Sequence, residues 1–348
     1  MSDMDFLPHK NSYLLGHSEA ESLFLRAWKN NTVHHAWIIF GAEGIGKATL
    51  AYRIARFLLW ADPAKREQYQ SLNIPVDSVV FQQIASGSHP DLKVLQRDFI
   101  ETDRKKIISA IRKGEAIDED DLANMKKSAY IRIDDVRQIN NFLSKTSFNE
   151  GWRVVLIDSV DDLNSNSANA LLKILEEPPA KTVLLLVSHN LGKLLPTIRS
   201  RCAKLSLKTL SQTDVASLIR RYRPQLDEQQ VLLLSQLSRG SIGRALKYAD
   251  AKADDIYRKL MNITSTAKFS LEQIIQFSTE TASDEDKFDV LQELIVKLFK
   301  DKIADSREPE ELCEYINTIN AMFADCRYIN MDKRLMLINL FAELRRFF

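Results

Sequence analysis

The chain of 348 residues holds only three cysteines, Cys202, Cys313 and Cys326. Their spacing makes neither a disulfide framework nor a C-x-x-C zinc site, so a reducing compartment is expected. Long hydrophobic runs are missing as well. The longest, such as Val183 to Val187, have the length of a strand and fall far short of the ~20 residues a membrane helix needs. Met1 to Lys10 carries acids and a proline but no apolar core, so no secretory signal is read there and the cytoplasm is the expected location. No repeat or low-complexity tract stands out. Nor does charge of one sign dominate: 48 Lys and Arg against 47 Asp and Glu leave a formal +1. That excludes a whole-surface field for nucleic acid, and any such contact must be local.

What remains is an ordinary globular composition, 45% hydrophobic and 27% charged, long enough for two or three domains. Up to Leu207, short apolar runs alternate with amphipathic ones. They predict strands at residues 36–40, 92–95, 130–133, 153–157, 182–187 and 203–207, and helices at 20–29, 47–60, 134–145 and 165–176. Continuous apolar stretches such as Val154-Val155-Leu156-Ile157 point to strands covered on both faces, hence a mostly parallel α/β sheet. After Leu207 only helical patterns remain. Ser211-Gln212-Thr213-Asp214 reads as a helix start, followed by the stripe Val215, Leu218, Ile219 and Tyr222. Two more short helices, 227–239 and 241–250, are broken by Gly240. Three pieces are expected: an α/β domain at 1–207, a small three-helix lid at 208–263 and an all-α domain at 264–348. Residues 101–127, mixing acids and bases with few large apolar residues, read as a solvated excursion with some helix.

The chemistry concentrates at three places. Gly41, Gly46 and Lys47 satisfy the phosphate-binding pattern G-x-x-x-x-G-K-[S/T], with an apolar run before it and a helix-prone run after it. The last position, where a hydroxyl ligates Mg²⁺, is Ala48. Thr49, one residue on and about 100° around the helix, is a poor substitute. Asp158 ends the apolar run 154–157, the arrangement that holds Mg²⁺ in nucleotide hydrolases. A glutamate that orients water follows in hydrolysing ATPases, and here that place is Ser159, which cannot serve as a carboxylate base. Asp161 and Asp162 lie further on and are read as projecting elsewhere. Gly41, Gly44, Gly46, Lys47, Thr49 and Asp158 thus form a degenerate candidate nucleotide site. The third place is Ser200-Arg201-Cys202, just before the last predicted strand.

His34-His35-Ala36, Gly41 to Thr49, Leu156-Ile157-Asp158, the run Asn169-Ala170-Leu171-Leu172-Lys173-Ile174-Leu175-Glu176-Glu177-Pro178-Pro179, and Ser200-Arg201-Cys202 together resemble the subunits of bacterial clamp loaders. The likeness covers most of residues 10–250, and over the rest it is one of helical character and length. With Ala48, and with no glutamate after Asp158, the chain is similar to the members that do not hydrolyse ATP rather than to the gamma/tau ATPase subunits. The resemblance implies the AAA+ class: a RecA-like P-loop domain with a parallel sheet, a helical lid, and an all-α collar that joins five subunits. It implies a stator with no catalysis of its own within the replicative polymerase holoenzyme. Its partners would be the gamma/tau ATPase subunits and the delta subunit in a hetero-pentamer, and, through the complex, the sliding clamp and primed DNA. Arg201 would be an arginine finger acting in trans on a neighbour's ATP.

The departures from that family carry weight too. No cofactor is expected to be required, and ATP or ADP is expected to bind weakly or not at all. Relatives carry a four-cysteine zinc module after the P-loop helix, whereas residues 60–100 hold no cysteine, so no zinc is expected. Their lid arginine, three residues after the glycine matching Gly240, is Gly243 here, with Arg244 one place late. Rival readings are an ATP-hydrolysing clamp-loader subunit or a DNA-dependent AAA+ ATPase, against which Ala48, Ser159 and Gly243 speak. A P-loop switch outside replication leaves 169–179 and 200–202 unexplained. His34, His35, Ser188-His189-Asn190 and the Glu176–Pro179 helix end are read as structural, and Arg220, Arg221 and Arg223 as a solvated face. Cys202 is read as packed rather than reactive.

Overall fold

The computed structural model describes residues 6–113, 125–145, 147, 151–265, 270–303, 306, 308–329, 331–344 and 347. The chain divides into two compact units, Met1–Asp214 and Val215–Phe348. The first is organised on five parallel strands: β1 (Ala36–Phe40), β2 (Leu92–Gln96), β3 (Arg153–Asp158), β4 (Thr182–Ser188) and β5 (Ala203–Ser206), in the order β2-β3-β4-β1-β5. Its described helices include α1 (Ser18–Lys29), α2 (Lys47–Trp60), α3 (Val79–Ala85), α4 (Glu101–Lys113), α5 (Ile133–Leu143), α6 (Ser165–Glu176) and α7 (Pro196–Ser200). Every residue of β4 is buried, which explains why Thr-Val-Leu-Leu-Leu-Val-Ser shows no polar alternation. Val183, Leu185 and Val187 pack with Phe24, Trp28, Ile54 and Phe57 of α1 and α2. The alternate residues Leu184 and Leu186 pack with Val136 and Ile139 of α5 and Leu171 and Ile174 of α6. A helix layer therefore covers each face, the expected P-loop α/β architecture.

One local expectation fails. Residues 130–133 form no strand. Ile131 makes an isolated bridge to Leu163, and Ile133 already belongs to α5. The competing constraint is the helix: with Arg132 as N-cap and Ile133 as the first helical residue, too few extended residues remain to pair as a strand. Residues 79–85 form α3, whose start is capped by Ser78 Oγ accepting from the Phe81 amide. The 101–127 excursion begins as the charged helix α4, while its part at 114–124 lies outside the described residues. Its root is closed by the Ile100 amide donating to Lys126 and the Ser128 amide donating to Asp98.

Helix α8 (Gln212–Tyr222) crosses the boundary between the units. In the second unit follow α9 (Glu228–Leu237), α10 (Ile242–Asp250), α11 (Ala253–Ser265), α12 (Leu271–Ala282), α13 (Glu285–Ile303), α14 (Pro309–Tyr328) and α15 (Lys333–Leu344). An Asp227–Gln230 capping box starts α9. Phe288, Leu291, Leu294, Phe299, Phe323 and Phe341 are buried, with the Phe288 and Phe323 rings 4.6 Å apart. Within this unit, residues expected in the lid (208–263) bond to residues expected in the collar (264–348). Lys247 Nζ and Tyr248 Oη donate to Glu293 at 3.0 and 2.9 Å, and Lys259 Nζ to Glu280 at 2.8 Å. The expected solvated arginine face needs correcting: Arg223 is buried and bidentate to Asp250, at 2.8 and 3.0 Å. Arg220 pairs with Glu228 at the surface. Among the described residues no helix is long and apolar enough to cross a membrane.

The two-sided burial of β4 sets an expectation. Leu185→Ala should destabilise the first unit by about 2–5 kcal/mol, the usual range for emptying a tight core site. Leu232→Ala, at an exposed position on α9, should stay within about 0.5 kcal/mol. Denaturant titration of the two variants beside the parent chain measures both.

Candidate functional site

The loop between β1 and α2 has the backbone a phosphate cradle requires. Gly41 sits at φ 151°, Gly44 at 72° and Gly46 at 104°. A Cβ at Gly41 would stand 2.4 Å from the Leu207 carbonyl oxygen, so only glycine lets β1 pass that close to the chain leaving β5. Gly46, in left-handed conformation, is the N-cap of α2 and offers no side-chain cap, leaving the first amides of the helix to the loop mouth.

Lys47 does not project freely from this loop. It is buried, and its Nζ donates to the carbonyl oxygens of Gly41 at 2.9 Å and Ala42 at 2.5 Å. Burial pulls its pKa down to about 8, against the opposing charges of Glu43, Asp158 and Asp161. To meet a phosphate, the ammonium must turn from its own loop. A second internal bond holds the loop from the amino-terminal side, where His17 Nε2 donates to the Ile45 carbonyl at 2.6 Å. Burial keeps this imidazole below its ordinary range, despite the Ile45 carbonyl and Asp214. His17 is placed there because α2 grips the preceding segment: Arg53 donates to the Ser12 carbonyl and to Glu21, and Arg56 to the Asn11 carbonyl. Ala48 brings no oxygen to the mouth. Thr49 is turned inward and buried.

Register brings the acid of β3 to the same edge of the sheet. Asp158 lies level with Val187 of β4, and Val187 with Ile39 of β1. Burial raises the Asp158 pKa, with His189 and Lys47 opposing. Asp161 corrects an expectation. A short 3-10 turn, Val160–Asp162, reverses the chain, so this carboxylate returns to the sheet edge instead of projecting away. It accepts from Ser159 Oγ at 2.7 Å, Ser188 Oγ at 3.1 Å and the amides of His189 and Asn190 at 2.6 and 3.2 Å. Ser159 is therefore engaged in tying the end of β3 to the end of β4. Asp162 pairs with Arg97 at 3.3 Å. In the second unit, Arg244 faces Glu293 at 3.7 Å, so the displaced lid arginine has a carboxylate partner of its own.

Arg201 stands at the opposite edge. It caps the end of α7, and Trp37 is level with Ala203, so Arg201 precedes β5 near the level where β1 begins. From that level to the P-loop the sheet runs about 16 Å at ~3.3 Å per residue. The side chain is 37% exposed. Its Nη1 donates to the Thr197 carbonyl at 3.0 Å and its Nη2 to Glu176 at 2.9 Å. Cys202 is buried and its thiol is pushed up to about 12 by desolvation, a packed rather than a reactive cysteine. Among the described residues no cluster of His, Cys, Asp and Glu is fit to hold a metal.

The structure thus gathers Gly41, Gly44, Gly46, Lys47 and Asp158 at one edge, and separates Arg201 from them. His17 was not singled out from the sequence, Asp161 was read as projecting elsewhere, and Glu176 was read only as part of a helix end. His17 bonds a backbone carbonyl, which leaves no motif. Asp161 offered one signal, its position three residues past Asp158, and needed the turn between them to be seen. The Asp161 network carries a pH signature. Burial works against its charge, but the four donors hold the carboxyl below its ordinary range. Its stabilisation is therefore complete above pH ~4, the unfolded value, and is lost as pH falls through the lower folded value. Asp161→Ala should cost about 1–3 kcal/mol at pH 7, and less in acid, measured as urea midpoints at several pH values.

Residues 16–211 match the family described as DNA polymerase III, delta subunit. The DNA polymerase III subunit delta' of Pseudomonas aeruginosa is 36% identical over 170 residues, covering 49% of this chain and 42% of that protein. The delta' subunit of Escherichia coli K12 is 28% identical over 213 residues, 61% of this chain and 54% of that protein. A DNA polymerase III subunit gamma of Buchnera aphidicola is 28% identical over 240 residues, 68% and 56% of the two chains. The aligned stretch spans about half the length of these relatives. Among solved structures, a DNA polymerase III gamma subunit-related protein of Thermotoga maritima aligns with 93% of this chain and 99% of its own, at 17% identity and a TM-score of 0.45. The match over residues 16–211, on a parallel P-loop sheet of this order, means that the chain belongs to the DNA polymerase III delta-subunit family.

Proposed function

We propose that this chain is a clamp-loader subunit of the bacterial replicative polymerase that does not turn over ATP and that lends Arg201 to the ATP site of a neighbouring subunit. The observation that supports this best is the division between the two sheet edges. At the P-loop edge, Lys47 is bonded to its own loop, Ala48 supplies no hydroxyl, and Ser159 stands where a carboxylate base is needed and bonds Asp161. At the other edge Arg201 is exposed, and the sheet keeps it too far from Lys47 to serve its own chain. A guanidinium so placed is suited to act across an interface, where positive charge beside a γ-phosphate stabilises the charge developing in phosphoryl transfer.

On this reading the site Gly41, Gly44, Gly46, Lys47, Thr49 and Asp158 is a framework that needs no cofactor, binds ATP or ADP weakly or not at all, and takes no zinc. The partners are gamma/tau-type ATPase subunits and a delta subunit in a hetero-pentamer in the cytoplasm. The helices beyond Leu207 serve as lid and collar, and the complex loads the sliding clamp on primed DNA. The rival, an ATP-hydrolysing subunit of the same architecture, draws on the nearness of Lys47 and Asp158, whose charges influence each other. Purified chain with Mg²⁺ and primed DNA should show no ATP turnover, and turnover abolished by Lys47→Ala would establish the rival. In the reconstituted complex, Arg201→Ala should leave assembly intact and lower ATP turnover by roughly tenfold or more, given that such fingers contribute ~10³ or more elsewhere. Unchanged turnover would remove the proposed role of Arg201.

A further inference from the structure

We propose that Glu176 stows Arg201 while the neighbouring nucleotide site is empty, and so sets how much nucleotide the neighbour needs before Arg201 engages. The inference rests on the proposed trans role of Arg201. In this chain both terminal nitrogens of the guanidinium are tied to groups of its own subunit. Nη1 reaches back one helical turn to the Thr197 carbonyl, and Nη2 reaches the Glu176 carboxylate at the end of α6. The side chain is thereby folded along α7 instead of extended toward solvent.

The place where it is held is anionic by construction. Glu176 is the last residue of α6 and Glu177 its C-cap. A helix C-terminus carries partial negative charge and ordinarily favours Lys, Arg or His. Two carboxylates there oppose that preference, and a guanidinium from the adjoining α7 offsets the accumulated charge. The pair is also open to water, with Arg201 37% and Glu176 50% exposed. Its openness matters to the argument. A buried pair would hold the arginine permanently, whereas an exposed one is weak and screened, and so exchangeable. The γ-phosphate of a neighbour's nucleotide carries more negative charge and more acceptor oxygens than one carboxylate, and displaces it. Stowing and release are then one exchange of anions around a single guanidinium, with Glu176 as a positioning residue that touches no substrate.

The test uses the full-length chain in complex with its cognate ATPase subunits. Steady-state ATP turnover is followed against ATP concentration for the parent chain, Glu176→Gln, Arg201→Ala and the double variant. Glu176→Gln keeps the size of the side chain and removes its charge, and thermal melting should be unchanged at so exposed a position. It should lower the half-saturating ATP concentration by about 1.5- to fivefold, the range expected for an exposed ion pair, with kcat preserved. With Arg201→Ala present, Glu176→Gln should change nothing. If Arg201→Ala depresses turnover but Glu176→Gln leaves half-saturation unchanged, raises it, or lowers kcat, the stowing role is wrong while the finger reading stands. If Arg201→Ala itself has no effect, the finger reading falls and the stowing role with it.

Discussion

The structure of the first unit depends on the burial of β4. A strand with every residue buried must be covered on both faces and hydrogen-bonded on both sides, and here β3 and β1 supply the pairing. With all five strands parallel, each connection returns the chain over a helix layer to the starting edge. Strand ends and strand beginnings are therefore sorted to opposite edges. The P-loop, Asp158 and Ser188 follow or end strands and collect at one edge. Arg201 precedes a strand and falls at the other. Topology, before any side-chain chemistry, separates the machinery for holding phosphate from the arginine.

At the P-loop edge the chain satisfies its own polar groups. Lys47 donates to Gly41 and Ala42, His17 to Ile45, and Ser159 and Ser188 to Asp161. Each bond offsets a desolvation cost that would otherwise fall on a buried donor or acceptor. A productive nucleotide site differs in kind, because its donors stay aimed at where phosphate charge will lie. Here Lys47 must first give up two carbonyl partners, and nothing at position 48 offers a metal an oxygen. The same bonds that stabilise the loop must open before Lys47 can meet a phosphate.

Much of this was legible beforehand, for reasons that differ by element. The bounds of α2, α6 and β1, and the other four sheet strands to within one residue, follow from apolar runs and from turn residues at their ends, signals local to a few residues. The P-loop glycines were readable because a positive φ and a close approach leave glycine little competition. Residues 130–133 misled because the alternation Tyr-Ile-Arg-Ile does not show that a helix takes over at Ile133. The roles of Asp161 and Glu176 were missed for a different reason: their partners, the end of β4 and the end of α7, are distant in sequence and are joined only by register. Arg223 looked like one of three surface charges until Asp250 was brought to it. Local chemistry shows in a sequence, whereas a polar partner across the fold does not.

Persistence of a motif and persistence of its activity are separable on physical grounds. Gly41 is required by the Leu207 carbonyl 2.4 Å from where its Cβ would be, and Gly46 by a backbone conformation at the start of α2. Neither demand mentions nucleotide. Asp158 ends a strand at the point where Asp161 fastens β3 to β4, and Lys47 satisfies two carbonyls. Such residues hold the domain in shape whether or not phosphate binds. Arg201 is the opposite case. Its ion pair is exposed and contributes little to folding, so stability gives no strong reason for an arginine at that position. A residue that contributes little to the fold, on the edge away from its own chain's phosphate loop, is what the proposed role across an interface calls for.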